Sequence, residues 1–191
     1  MKNLLAAMLL ATAPAAAIVA PATAQLPAGM ELGPKVGAKA PAFILTTTGG
    51  ESRSLQAMSG DKGVTLVFVR SADWCPFCKL QLKNLNAVAA EMDALGWPLV
   101  GASYDSAEII TAFVKANSLG YEFMSDPGSK AIDALGIRNE TVSGSARFNG
   151  IPHPIILFIA RDGTVKAKLY EEAYQKRPPG ELVVSTAKGL K

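Results

Sequence analysis

Val64-Thr65-Leu66-Val67-Phe68-Val69-Arg70-Ser71-Ala72-Asp73-Trp74-Cys75-Pro76-Phe77-Cys78 decides the fold. The first six residues are a continuous β-rich run, too apolar for a half-exposed strand, and they predict a central strand buried on both faces. Beyond the cysteines, Cys78, Leu82, Leu85, Ala89 and Met92 follow steps of four and three, while Lys79, Lys83, Asn86 and Asp93 take other faces. That period predicts one amphipathic helix, closed by Gly96 as its C-terminal cap.

The two cysteines therefore stand where a buried strand hands over to a helix. Cys75 falls at the helix N-terminus, where unsatisfied N–H groups and the macrodipole favour an anion. Such a position lowers a thiol pKa from ~8.5 into the range of roughly 3.5–7.5. Pro76 suits the first helical position, which needs no N–H. Lys79 favours a Cys75 thiolate and Asp73 opposes it. A bridge across so short a loop is a poor staple, because stabilisation grows with the length of chain enclosed. A four-cysteine zinc site needs a second pair, and the chain has only 2 Cys. Strand–CxxC–helix thus reads as a redox motif, against a plain buried disulfide or half of a metal site.

Outward from this centre, strands and helices alternate. Trp97 to Ser103 and Ile155 to Ala160 are two more buried-strand candidates, and Phe43 to Thr46 and Tyr121 to Met124 are short ones. Helices are expected over Ala107 to Ala116, Ser129 to Leu135 and Glu181 to Leu190, with one helical turn over Ser54 to Ser59. Arg161-Asp162-Gly163-Thr164 is a hairpin turn returning through Val165 to Tyr170, and Glu140 to Gly150 is loop. The pattern predicts one α/β domain with a mixed central sheet and helices on both faces. Gly150-Ile151-Pro152-His153-Pro154 precedes the third buried run, and its prolines fit a cis turn or an ordinary trans one.

The chain has 191 residues with a net charge of +3 and no Lys/Arg cluster, so no nucleic-acid partner is expected. No phosphate-binding glycine loop appears, and neither nucleotide nor flavin is expected as a cofactor. Lys2 is followed by an apolar stretch without further charge until Glu31, leading to Ala22-Thr23-Ala24. A charged start, a short apolar segment and an Ala-x-Ala exit form a secretory signal over residues 1–24, of the compact bacterial kind. Pro14 and the many alanines argue against a membrane anchor, so no membrane association is expected after cleavage. Residues 25–35 then form an N-terminal arm and residues 36–191 the domain. The expected destination is the periplasm, where unprotected thiols tend to pair.

The chain resembles the thioredoxin-fold redoxins, most closely the peroxiredoxin-like group of the alkyl hydroperoxide reductase / thiol-specific antioxidant family. The resemblance begins at Val36-Gly37-Ala38-Lys39-Ala40-Pro41-Ala42-Phe43-Ile44-Leu45 and continues through Phe68 to Cys78. Ser125-Asp126-Pro127, Ala134-Leu135-Gly136-Ile137, and His153-Pro154 with Asp162-Gly163 extend it to nearly the whole mature chain. It implies a thioredoxin-like fold in which Cys75 is the attacking cysteine, exposed at the helix start, and Cys78 its resolving partner. It further implies that Pro154 is a cis-proline facing the pair and that His153, beside it, contacts substrate or influences the thiolate. Trp74, Pro76 and Phe77 surround the attacking position.

Several positions depart from the family pattern. Typical peroxiredoxins carry Pro seven and Thr or Ser three residues before the attacking cysteine, where this chain has Phe68 and Ala72, with Ser71 one residue out of register. The family's later arginine falls near Pro154 and is absent, leaving Arg70 as its substitute at the strand end. Val69 stands where thioredoxins bury an acid, so a proton acceptor for Cys78 must come from elsewhere.

Three functions follow. The first is a periplasmic thiol–disulfide oxidoreductase acting on disulfide-bearing proteins through Cys75 and Cys78, with an unidentified thiol reductant or oxidant as partner. The alternative is a peroxidase with antioxidant activity, in which peroxide oxidises Cys75 to a sulfenic acid that Cys78 condenses with. A minor alternative has Cys75, Cys78 and His153 converging on copper(I).

Overall fold

The computed structural model describes residues 31–142 and 144–190; the expected signal segment and most of the expected arm lie outside them. Seven strands form one sheet: β1 (Ile44–Thr47), β2 (Ser52–Ser54), β3 (Gly63–Phe68), β4 (Leu99–Ser103), β5 (Glu122–Ser125), β6 (Ile155–Ala160) and β7 (Val165–Leu169). Six helices accompany them: α1 (Leu55–Met58), α2 (Pro76–Leu85), α3 (Ala89–Ala94), α4 (Ala107–Asn117), α5 (Lys130–Ala134) and α6 (Gly180–Gly189). The strand order is β2-β1-β5-β4-β3-β6-β7. β3, β4 and β5 run parallel, and β6 pairs antiparallel with β3, so the sheet is mixed as expected.

β3 is buried at every position because both of its neighbours and both of its faces are covered. Alternation along the strands separates two cores. Leu66 and Phe68 point to one face with Leu157, Met124 and Ile132. Val67 and Val69 point to the other with Phe158, Leu82, Met92 and Trp97, and both cysteines belong to this second core. At Gly101 of β4 an added Cβ would lie 2.7 Å from the Phe123 ring, so only glycine lets that aromatic pack on the sheet.

The structure differs from expectation in three local places. The single helix expected to run past Met92 ends at Leu85, passes through a 3₁₀ turn (Asn86–Val88) and resumes as α3. Asn86 turns its side-chain oxygen to the Gly120 amide, 2.7 Å away, and this tertiary bond replaces helical continuity. Gly96 does close the element, with φ 79° and its carbonyl accepting from Lys62 and Gly63. Secondly, Ser52–Ser54 forms a hairpin strand with β1 before the expected helical turn. Thirdly, no peptide bond among the described residues is cis, so Pro154 follows the trans alternative. No helix among the described residues is long and apolar enough to cross a membrane.

Candidate active site

The end of β3 and the start of α2 meet at the edge of the second core. Cys75 is the N-cap of α2, with Pro76 as the first helical residue. The Cys78 amide donates to Cys75 Sγ at 3.2 Å, and the Lys79 amide to the Cys75 carbonyl at 3.0 Å. The helix terminus therefore directs one N–H, that of Cys78, at this sulfur, which favours its anion. Cys75 and Cys78 form a disulfide, their Cα atoms 5.2 Å apart. Cys75 is only 1% exposed and Cys78 0%, which corrects the expectation of an exposed attacking cysteine. Trp74, Phe77, Phe148 and Tyr174 surround the space beside Cys75.

A cavity of about 320 Å³ reaches Cys75. It is lined by Arg70, Trp74, Pro76 and Phe77 from the strand–helix junction, and by Val142, Phe148 and Tyr174 from distant loops. Arg70 is 7% exposed and stacked between two rings, its guanidinium carbon 5.0 Å from the Trp74 centroid and 4.3 Å from that of Tyr174. Its Nε has no hydrogen-bond partner. Burial lowers its pKa, and a hydrogen bond with Tyr174 partly opposes this. The result is a desolvated cation on the wall of the Cys75 cavity.

A hydrogen-bond chain holds the cover in place. Trp74 Nε1 donates to the Tyr104 hydroxyl at 3.0 Å, and that hydroxyl donates to the Arg147 carbonyl at 2.8 Å. Phe148 stacks on Trp74 with centroids 4.9 Å apart. Beneath the cavity, the Asp105 carboxylate accepts from the Ala72 amide at 2.6 Å and from the Ser71 and Ser103 hydroxyls at 2.8 Å each. Ser71 in turn accepts from the Asp73 and Trp74 amides. Its hydroxyl is thereby committed inward and does not replace the one missing at Ala72. Lys79 is bound to the Asp73 carbonyl at 2.7 Å, so its charge is turned to that loop.

The remaining expected residues lie apart. His153 is buried, and its backbone amide donates to the Ile137 carbonyl at 2.8 Å. Its pKa is lowered by burial and then by the Arg70 charge, but it does not line the cavity. Among the described residues no group of three or more His, Cys, Asp or Glu could hold a metal ion, so the minor alternative in which Cys75, Cys78 and His153 converge on copper(I) gains no support. Pro154 borders a crevice with Gln81, Arg177 and Pro178 and does not line the Cys75 cavity.

Four contributors had no local signature in the sequence. Tyr174 and Phe148 come from loops, and Tyr104 looks like a strand-end residue. Arg177 lies far along the chain, yet its Nη2 is 3.6 Å from Cys78 Sγ. Asp105 was within reach of sequence reasoning, because ligands and catalytic loops gather beyond the carboxyl ends of parallel strands.

Comparison with known proteins identifies the family. The AhpC/TSA family profile matches residues 36–168. Peroxiredoxin Bcp of Escherichia coli (strain K12) is 26% identical over 132 residues, covering 69% of this chain and 83% of its own length. The 1-Cys peroxiredoxin B of Oryza sativa subsp. japonica is 28% identical over 169 residues, 83% of this chain and 72% of its own. Among solved structures, peroxidoxin BcpB of Mycobacterium tuberculosis superposes with a TM-score of 0.70 at 18% identity, over 84% of this chain and 99% of its own. A Bacteroides thetaiotaomicron protein provisionally assigned as a protein disulfide isomerase superposes with a TM-score of 0.58 at 23% identity, over 83% of this chain and 91% of its own. The two solved structures speak to the fold, and the family match covers most of the chain. The chain belongs to the AhpC/TSA family, as a peroxiredoxin-like redox enzyme of thioredoxin-like fold that carries a Cys75–Cys78 CxxC pair.

Proposed function

We propose that the protein is a thiol-dependent peroxidase in which Cys75 is oxidised by a hydroperoxide and Cys78 resolves it. The observation that carries this reading is the burial of Cys75 behind a cavity of about 320 Å³ with one desolvated cation, Arg70, on its wall. A small hydroperoxide fits such a space, whereas a protein disulfide must bring a whole backbone up to the sulfur. The Cys75 thiolate attacks one peroxide oxygen, the O–O bond breaks, and the other oxygen leaves with the electron pair and takes up a proton. Cys75 is then a sulfenic acid. The Cys78 thiolate attacks its sulfur, expelling hydroxide that is protonated to water, and the disulfide forms. An external dithiol returns both cysteines to the reduced state. With no hydroxyl at Ala72, Arg70 is the group available to stabilise the developing negative charge.

Disulfide exchange with a protein substrate is the second reading, and the CxxC spacing with a short intra-helical bridge favours it. Stopped-flow Trp74 fluorescence of the reduced protein with hydrogen peroxide separates the two. A Cys75 oxidation rate orders of magnitude above that of a free thiol at the same pH supports peroxidase chemistry. A rate equal to the free thiol defeats it, and capture of protein disulfides on Cys75 in a C78A variant then establishes the second reading. The proposed site of action is the periplasm, on the strength of residues 1–24. A mature N-terminus at Gln25 in the exported protein is the expected result, and an intact Met1 N-terminus overturns it.

A further inference from the structure

Arg177 is a cation whose purpose the disulfide form does not explain. Its Nη2 lies 3.6 Å from Cys78 Sγ, and its Nη1 donates to the Lys176 carbonyl at 2.8 Å. Its Nε is buried without a hydrogen-bond partner. The charged and polar groups that act on it most are Arg70, a like charge, and Tyr174; Glu171 and Lys176 line the same crevice, but neither shifts Arg177 measurably. Burial and then the Arg70 charge push its pKa down to about 10, with Tyr174 opposing, which still leaves it cationic at neutral pH. Arg177 is half-buried, and withdrawing a charge from water without a close counter-ion is costly.

The backbone nevertheless holds it there. Pro178 is buried and Pro179 restricts the next φ, while an added Cβ on Gly180 would lie 3.2 Å from Val88. Gln81, Pro154, Ile156 and Glu171 line the same crevice. The sulfur next to it is neutral in the disulfide and becomes an anion only on reduction. Reduction thus places an anion against the Arg177 guanidinium.

We propose that Arg177 stabilises Cys78 as a thiolate, which makes Cys78 the leaving sulfur when the disulfide is opened and the prepared nucleophile when Cys75 is oxidised. This rests on the redox cycle of the Cys75–Cys78 pair, whichever oxidant drives it. An external thiolate attacks Cys75, the sulfur that lines the cavity, and forms a mixed disulfide with it. The S–S bond to Cys78 breaks, and its electron pair passes to Cys78 Sγ beside the guanidinium. The second thiol of the reductant then releases Cys75. The groups seen against Cys78 Sγ are Cys75 across the bridge and Arg177 Nη2, and the charged groups that line the crevice with Arg177 are Glu171 and Lys176. Arg70 and Tyr174 act from the cavity side. Arg177 is thus a catalytic residue for the reductive half of the cycle, as Arg70 is for the oxidative half.

The test needs no peroxide, so its failure and that of the peroxidase reading are distinguishable. In a C75S background Cys78 is the sole thiol, and its ionisation is followed by thiolate absorbance. An opposite charge in contact shifts a pKa by about one unit or more, so R177M lowers the thiolate fraction below the Cys78 pKa about tenfold. R177K retains a charge and recovers part of that loss. In the two-cysteine protein at about pH 9, where a Cys78 thiolate dominates, R177M shifts the dithiothreitol equilibrium about tenfold toward the disulfide, or about 30 mV for two electrons. R177Q is measured alongside, since it keeps a hydrogen-bond donor and loses the charge, and so decides the question if R177M does not fold. A Cys78 titration in which R177Q or R177M overlays the parent overturns the proposal. A merely structural Arg177 would change the unfolding midpoint and leave that titration in place.

Discussion

The Asp105 carboxylate accepts the Ala72 amide hydrogen at 2.6 Å, tying the end of β4 to the loop that carries Cys75. Hydroxyls of Ser71 and Ser103 complete the ring around it. Burial raises the Asp105 pKa, and these three donors oppose that rise. The loop conformation between Phe68 and Cys75 is therefore set by a side chain from the neighbouring strand. In D105N one of the two acceptor oxygens becomes a donor, and at least one of the three donors loses its partner. A loss of about 1–3 kcal/mol in unfolding free energy is expected, read from urea midpoints at constant slope. A smaller loss in D105N than in a surface Asp control such as D61N would show that the ring is dispensable.

Replacing Arg70 by Met removes the cation from the Cys75 cavity while keeping much of its volume. The Cys75 thiol pKa should rise by about one unit and oxidation by hydrogen peroxide should slow at least tenfold at neutral pH. Stopped-flow Trp74 fluorescence reads the rate and thiolate absorbance in a C78S background reads the pKa. An unchanged rate would assign the charge stabilisation to some other group.

His153 is the chain's only histidine, and the fold holds it below its ordinary pKa through burial and the adjacent Arg70. Its folded pKa lies below the unfolded value near 6.5, so the unfolded chain binds the proton more readily. The stabilisation from neutral His153 is present above pH ~6.5 and is lost as pH falls toward the folded pKa. Wild type should lose stability relative to H153Q over that window, with a slope no steeper than about 1.4 kcal/mol per pH unit. Parallel urea midpoints for the two proteins from neutral to acid pH would contradict this.

The Tyr104 hydroxyl links Trp74 to the Arg147 carbonyl and so fastens the loop that roofs the cavity. Y104F leaves the ring in place and removes both bonds. Amide hydrogen exchange around Arg147 and Phe148 should accelerate several-fold, while global stability falls by about 1 kcal/mol. If exchange there is unchanged, the Trp74–Phe148 stack holds the loop unaided.

The sheet was readable because each central strand carries its own evidence. Val64 to Val69 and Ile155 to Ala160 are apolar throughout, and burial on both faces permits no other composition. The CxxC pair was readable for a similar reason, since Cys75, Pro76 and Cys78 form a helix start by local rules alone. The break after Leu85 was not, because the heptad-like period runs through it and the cause is the distant Gly120 amide. Pro154 illustrates a second limit: the two isomers of a prolyl bond differ by only about 0.5–1 kcal/mol, and the surrounding contacts select one.

By itself the sequence determined the α/β class, the central strands, the position of the cysteines at the start of α2 and hence the redox chemistry of the chain. Those properties follow from neighbours a few residues apart, through burial period, helix capping and disulfide reach. Tertiary structure decided the environment of the sulfurs. It buried Cys75 beneath Trp74 and Phe148, placed Arg70 between two rings on its cavity, and brought Arg177 to Cys78 across 99 residues of chain. Substrate size and thiolate stability depend on those distant side chains, whose proximity is a consequence of sheet order and loop packing rather than of any local pattern.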